Sequence, residues 1–481
     1  MKWWQRLIGA AGKEPPSQSG TEAPLSENRA AISFEPVPKQ VPTLAQQREW
    51  REKVLVYVGE VNDFGRRYAA DPESMAEALE PACPALEHLA VAAVNAIRQA
   101  NETGDIERLR EEWPPAQEPL IPVLEKNGIS IPTVCILSDQ SVVVRVGTAY
   151  QPGRTFHLTE NEARELPDPG YFGRSPCRRY FAYAREAGVE ICEGWLGRSL
   201  AICSWPNGLE GIPSEYHAKS LEKVPTATRL VPFPDGRKVL LVAPEGVFLL
   251  HPDRAVRLLP TEEDIRLLFD YELKEGSLPQ DLSVSLSMEH GAVSPDGKLI
   301  AAGNQDSKHH IFDAEGNLLA EVGPLMDYPH HALFAEDGSL IAFNSCHFYD
   351  GVTLAVPVHL LPGLSTKSYE EDERTPVLED GSRVYAGAAR GDEFVIGDAS
   401  GVLRAFSTAG QKRWVQRIGS STGAIDISAD GRMLVASTYA GFVSFFRLDA
   451  GRQAPHQIGY GNHEEVCRWI FWKHEENPLR W

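Results

Sequence analysis

Residues 292–313 read AVSPDGKLIAAGNQDSKHHIFD: an apolar run, the turn Ser294-Pro295-Asp296-Gly297, a second apolar run, a polar break, and a third run ending in Phe312-Asp313. Short apolar or alternating runs bounded by Gly, Pro, Asp and Ser read as strands joined by tight turns. The same punctuation recurs on either side, as VPFPDGRKVLLVAPEGVFLL from Val231, ALFAEDGSLIAFNSCHFYDG from Ala332, and IDISADGRMLVASTYAGFVSFF from Ile425. Weaker copies begin at Arg174 (RSPCRRYFAYAREAGVEI), Leu378 (LEDGSRVYAGAARGDEFVIGDASGVLRAF) and Thr133 (TVCILSDQSVVVRVG), which makes seven units.

The turn glycines Gly236, Gly297, Gly338, Gly381 and Gly431 stand 61, 41, 43 and 50 residues apart, and a four-stranded propeller blade takes about 40–45 residues. An Asp-Gly pair suits a two-residue hairpin in which both central residues take positive φ, so each unit is expected to open with two strands around such a turn. One small sheet leaves its faces and edges uncovered, whereas a ring of sheets buries the faces and shortens the edges. The fold class expected is mainly β, a seven-bladed β-propeller over residues 131–481 preceded by a small α-helical module.

These repeats resemble the WD-type and related bacterial propeller repeats, in which a Ser-Pro-Asp-Gly turn joins the first two strands of a blade. Most units lack the Trp-Asp that ends the third strand in that family, and Phe312-Asp313 stands nearest to it. The stretch GVLRAFSTAGQKRW from Gly401 looks more like a quinoprotein-type blade. The resemblance implies a non-enzymatic, protein-binding scaffold or adaptor, and it implies that histidines at blade entrances bond to neighbouring turns.

Outside the repeats, residues 1–13 (MKWWQRLIGAAGK) place Trp3, Trp4, Leu7 and Ile8 on one helical face among basic residues, the pattern of a short interfacial anchor or of a frayed terminus. Residues 14–41, rich in Pro, Ser, Glu and Ala, have linker composition. Residues 42–125 read as helical. Thr43 and Gln46 have capping-box spacing, and Trp50, Val54, Tyr57, Val58, Val61, Phe64 and Tyr68 follow at helical intervals. Asp71-Pro72 is expected to restart a short helix, and Leu86 to Ile97 carry the stripe of another.

The last residues, VCRWIFWKHEENPLRW, carry Trp469, Trp472 and Trp481, expected either to close the ring or to form an exposed aromatic strip. Thr261 followed by three acids starts a helix inserted after one unit's fourth strand. The acidic segment LSTKSYEEDERT from Leu364 reads as a solvated loop able to meet a basic partner.

The net charge of −20 opposes binding to nucleic acid or to anionic lipid. Seven scattered cysteines without a CxxC pair argue against a disulfide framework and for a reducing, cytoplasmic setting. No apolar run is long enough to span a membrane. There is no P-loop, no GxSxG, no HExxH and no acidic calcium loop, and no cofactor is expected.

Candidate binding residues follow from blade topology. His290 and His331 each stand seven residues before a turn glycine, with His330 beside the second. Gln305, Asp306 and His309 follow the second strand of one unit, and Asn344, Cys346 and His347 that of the next. Inter-blade connections and second-to-third loops emerge on one side of a propeller, so these residues should gather on two adjacent blades. His, Cys and Asp can ligate zinc, and a Cys near a His can be a nucleophile. No local spacing matches a zinc motif, so the readings are structural histidines, a partner or ligand surface, or a metal or catalytic centre. In function, a scaffold is expected. A toxin-neutralising immunity or inhibitor protein with a basic partner, or a ligand- or metal-dependent propeller enzyme, are the alternatives.

Overall fold

The computed structural model describes residues 37–71, 73–75 and 78–481. They form two compact units: residues 129–454 with 461–468, and residues 37–128 with 455–460 and 469–481.

The first unit is a seven-bladed β-propeller. Its antiparallel sheets run in chain order: blade 1 (133–166), blade 2 (172–203), blade 3 (229–259), blade 4 (290–322), blade 5 (328–380), blade 6 (384–417), and blade 7 (422–447 with a fourth strand from Glu464). The first strand of each blade is innermost and touches the first strand of the next, and blade 7 touches blade 1. Faces of neighbouring blades are sealed by branched aliphatic and aromatic side chains, such as Ile191, Leu230, Leu241 and Phe248 between blades 2 and 3. Ile311, Val322, Phe343 and Val356 do the same between blades 4 and 5. Each such side chain, fully buried, contributes about 1.5–3 kcal/mol, so the stacking of blades is what makes each small sheet stable.

The turns differ from the expected two-residue hairpin. Gly297 N–H donates to Ser294 O at 2.9 Å, and only the glycine has positive φ, +72°. This is a type I turn in which Pro295 supplies the fixed negative φ of the second position and excludes the mirror-image turn. Ser294 Oγ accepts the Leu299 N–H at 2.9 Å and donates to Asp296 Oδ1 at 2.7 Å. Blade 7 repeats the arrangement with Ser428, and in blade 2 Arg178 takes the glycine's place at φ +63°.

Gly381 is not such a turn. Val377–Asp380 is the fourth strand of blade 5 and Val384–Arg390 the first of blade 6, so Gly381 lies in the connection between blades. The first hairpin of blade 6 turns instead at Gly391-Asp392, since Arg390 pairs with Glu393. The acidic segment after Leu364 is not a freely solvated loop either. Its backbone bonds along blade 4's outer strand, with Glu321 N–H to Leu364 O at 3.0 Å, Thr366 N–H to Glu321 O at 3.1 Å and Tyr369 N–H to Pro324 O at 2.8 Å. It covers an otherwise open sheet edge.

The second unit holds α1 (Leu44–Ala70), α2 (Ala90–Thr103), α3 (Ile106–Glu112) and α4 (Ile121–Asn127). Thr43 and Gln46 cap α1 reciprocally. Among the described residues between Asp71 and Leu86 there is a turn at 73–75 and no restarted helix, and the stretch that holds Pro81 and Pro84 has no regular secondary structure. Trp481 is fully buried, with its Nε1 donating to Trp113 O at 2.7 Å, and Trp50 Nε1 donates to Pro114 O at 3.0 Å. Trp469 and Trp472 are buried as well, so no aromatic strip is exposed at this end. All three tryptophans fall within the helical unit, Trp469 near the end of the strand that begins at Glu464 and Trp481 with its indole N–H taken up by Trp113 O. The stretch 1–13 and most of 14–41 lie outside the described residues.

Candidate functional site

The candidate residues divide into three groups. His290, His309 and Asn344 are buried structural groups. His290 Nδ1 donates to Met288 O at 3.0 Å, and its ring fills the space a Cβ on residue 303 would need, approaching that position to 2.8 Å. Glycine is therefore required at 303. His309 lies 5.7 Å from His290 and stacks at 4.5 Å on Phe343, without a hydrogen bond to either ring nitrogen. Burial lowers the pKa of His290 to about 3 and that of His309 well below its usual value. Both act as neutral aromatic core groups. Asn344 bridges blades by donating to Ser382 O at 2.9 Å and accepting from Val384 N–H at 3.0 Å.

A second group does not converge with these. Cys346 is buried, and its thiol is pushed up to about 11 by desolvation, which removes the thiolate a nucleophile needs. His347 is exposed and pairs with Asp327. Gln305 and Asp306 form a tight turn held by Gln305 N–H to Ser287 O and Asp306 N–H to Asn304 Oδ1, each at 2.9 Å. Among the described residues, no three His, Cys, Asp or Glu side chains are grouped to hold a metal.

The third group, His330 and His331, faces the central channel, a cavity of about 630 Å³ lined by the first strands of all seven blades. His330 Nδ1 donates to Val384 O at 2.5 Å, which leaves Nε2 as an acceptor 3.4 Å from Arg383 Nη2. Burial and that guanidinium hold its pKa down to about 4.

The channel contains groups that a search for His and Cys passes over. Thr133, Tyr171, Arg229, His290 and His331 all line it, and each stands seven residues before the residue that takes positive φ in its blade's first turn, namely Gln140, Arg178, Gly236, Gly297 and Gly338. Arg229 is thus the blade 3 equivalent of the two histidines, and that shared offset was the available signal. At the turn side, Asp426 takes Arg174 at 2.8 Å and Arg178 at 3.5 Å. At the loop side stand Tyr171, Arg229, Met288, Glu289, Tyr385 and Tyr439.

The loop side also carries exposed apolar groups. Phe348 and Tyr349, between the second and third strands of blade 5, are 66% and 58% exposed. The inserted helix α5 (Glu262–Lys274) buries Ile265 and Phe269 against Tyr216 and Leu282, while Leu267 and Tyr271 remain 67% and 63% exposed. Tyr216 Oη donates to Asp270 Oδ1 at 2.9 Å, so two inter-blade connections are locked together.

No family model and no curated protein matches the chain. Among solved structures, the computationally designed Ika8 protein aligns at 13% identity with a TM-score of 0.39, covering 67% of this chain and 97% of that one. The β-propeller domain of Cps50 (Swd1) from Myceliophteria thermophila aligns at 11% identity with a TM-score of 0.43, covering 64% and 93%.

Proposed function

We propose that the chain is a non-enzymatic scaffold or adaptor, a WD-type propeller of a bacterial cytoplasm that docks a protein partner on its loop side. A propeller is a rigid frame on which loops vary, and such frames commonly serve protein interaction. The observation that carries this reading is the exposure of Phe348, Tyr349, Leu267 and Tyr271 on segments that strand direction sends to one side of the ring. Large aromatic and aliphatic groups held on a two-residue loop and on a capped helix are suited to be anchors of an interface, because little entropy is lost when they are covered. Among the described residues no helix is long and apolar enough to cross a membrane.

The test is affinity capture from the native cell with the full chain, with Phe348→Asp and Leu267→Asp variants, and with a turn-side variant such as Asp337→Lys. A partner retained by the wild type and by the turn-side variant but lost with both loop-side variants supports the reading. Capture that ignores the loop-side variants overturns it.

A further inference from the structure

The arginines of the propeller show how this fold treats a buried or half-buried cation. Arg404 pairs with Asp398 and Arg468 with Glu465. Arg145, which has no carboxylate, spends its donors on three carbonyls, Gly147 O and Thr148 O at 2.8 Å and Gln151 O at 3.0 Å. Arg257 does the same with Glu210 O, Gly208 O and Glu245 O at 2.7–2.9 Å. In each case the charge is met from within the chain, by a carboxylate or by three carbonyl oxygens, as a cation withdrawn from water requires.

Two arginines have fewer partners: Arg229 lines the channel at its loop-side mouth, and Arg383 adjoins the lining residues Met288 and His330 there. Arg229 makes one long bond, Nη1 to Gly291 O at 3.2 Å, and has no carboxylate partner among the described residues. Its surroundings are the phenols of Tyr171 and Tyr439 and the imidazoles of His290 and His331, and burial lowers its pKa. Arg383 donates to Phe348 O at 3.0 Å, approaches His330 Nε2 at 3.4 Å and Met288 Sδ at 4.0 Å, and lies over the Tyr385 ring at 5.2 Å, with one carbonyl and no carboxylate to meet its charge. Tyr439 lies within electrostatic reach of both guanidinium groups and packs edge-on against Tyr385 at 5.6 Å.

The carboxyl group at this mouth does not neutralise them. Glu289 accepts the Thr228 hydroxyl at 3.0 Å, and desolvation with the nearby Glu245 holds its pKa above the usual range. Two cations without a carboxylate partner among the described residues therefore stand at one mouth in a chain of net charge −20.

We propose that the loop-side mouth of the channel is a binding site for an organic carboxylate, received by Arg229 and Arg383, with Tyr439 and Tyr385 against its apolar body. Guanidinium forks match carboxylate geometry and hold it through paired, charge-assisted bonds. The tyrosine rings and Met288 offer apolar contact that an inorganic ion would leave unused. The cavity of about 630 Å³ falls in the size range of small-molecule sites, roughly 300–1,000 Å³.

Calorimetric titration of the full chain with 3-phenylpropionate, with the matching amide, with inorganic phosphate and with a blocked glutamyl peptide tests this. Saturable binding of 3-phenylpropionate is expected, at least tenfold tighter than that of the amide or of phosphate, and weakened at least tenfold by Arg229→Gln and by Arg383→Gln. Tyr439→Phe, which leaves both cations in place, should weaken it only a few-fold, and denaturation midpoints of all three variants report whether the fold is kept. The site as assigned is overturned by equal affinity for acid and amide, by indifference to both arginine variants, or by absence of saturation at tens of millimolar. Phosphate binding as tightly as the organic acid overturns the ligand class. Tighter binding of the glutamyl peptide would place the natural carboxylate on a polypeptide and overturn the free-acid assignment.

Discussion

The Asp426 carboxylate in blade 7 accepts a hydrogen bond from the Arg174 guanidinium in blade 2 at 2.8 Å, across 252 residues of chain. Its other oxygen accepts the Ile136 N–H of blade 1 at 2.6 Å, so one side chain ties the three blades that meet where the ring closes. Both partners of the pair are about nine-tenths buried. Removing one partner of such a pair strands the other in a poorly solvated site, at a cost of about 3–5 kcal/mol. Asp426→Ala should lower the unfolding free energy in urea by that amount. The double variant Asp426→Ala/Arg174→Met should recover part of it, because the stranded charge is gone. Strictly additive losses in this double-mutant cycle would show that the two side chains are not coupled.

The turn glycines allow a graded comparison. Gly297 and Gly338 both have φ of +72°, but a Cβ at 297 would meet Pro234 Cδ at 2.9 Å, whereas at 338 its nearest neighbour is Pro295 Cδ at 3.7 Å. Alanine at 338 meets backbone strain alone, about 1 kcal/mol, and at 297 it adds a steric clash. Gly297→Ala should therefore be the more destabilising of the two, by roughly 1 kcal/mol. Equal denaturation midpoints would mean that the Pro234 ring moves aside at no cost.

Much of the ring was legible because turn chemistry and strand patterning are local. Seven units were countable, and the structure has seven blades. Where the turn sequence was ambiguous, the register slipped: the Asp-Gly at 380–381 looks like the other turns, yet it is a connection between blades, since Val384–Arg390 pairs onward with Glu393–Asp398. Of the candidate site, sequence offset assigned His290 and His331 to connections between blades, whereas His290 opens the first strand of blade 4 and His331 lies inside that of blade 5. Offset alone could not say which side chains stay polar and accessible. His309 vanished into a stack on Phe343, and Cys346 into the core. Arg229, at the same offset in blade 3, acquires its interest only from having no carboxylate partner among the described residues, a property of three-dimensional packing.

Cysteine reactivity should separate sharply by burial. Cys83 and Cys177 are exposed, and the other five thiols are buried. Burial raises Cys135 to about 12, and Cys192, Cys203 and Cys346 to about 11. The thiolate is the reacting species, so at pH 8 these buried groups present almost none of it. Alkylation of the native chain with iodoacetamide, read by peptide mass spectrometry, should modify Cys83 and Cys177 within minutes and leave Cys346 untouched. In denaturant all seven should react. Rapid native labelling of Cys346 would contradict its placement in blade 5.

The buried histidines make the fold sensitive to mild acid, and the sign follows from their lowered pKa values. His290 is depressed to about 3 and His330 to about 4, and His309 and His331 are depressed well below the ordinary value. Above pH 6.5 these imidazoles are neutral in both folded and unfolded chains, and their stabilising contribution is complete. As pH falls below 6.5 the unfolded chain takes up protons that the folded chain refuses, so stability declines as pH falls toward the folded values, about 3 for His290 and about 4 for His330. Each such histidine contributes a slope of up to about 1.4 kcal/mol per pH unit. Glu289, Glu379 and Glu393, raised by desolvation, act in the opposite direction as they protonate. A substitution isolates the histidine contribution from theirs. His309→Phe keeps an aromatic ring against Phe343 and removes one titrating group, so urea unfolding between pH 7.5 and 5.5 should show a shallower loss of stability than in the wild type, by up to about 1.4 kcal/mol per pH unit. An unchanged pH slope would mean that His309 can be protonated in the folded chain, which its dry surroundings should forbid.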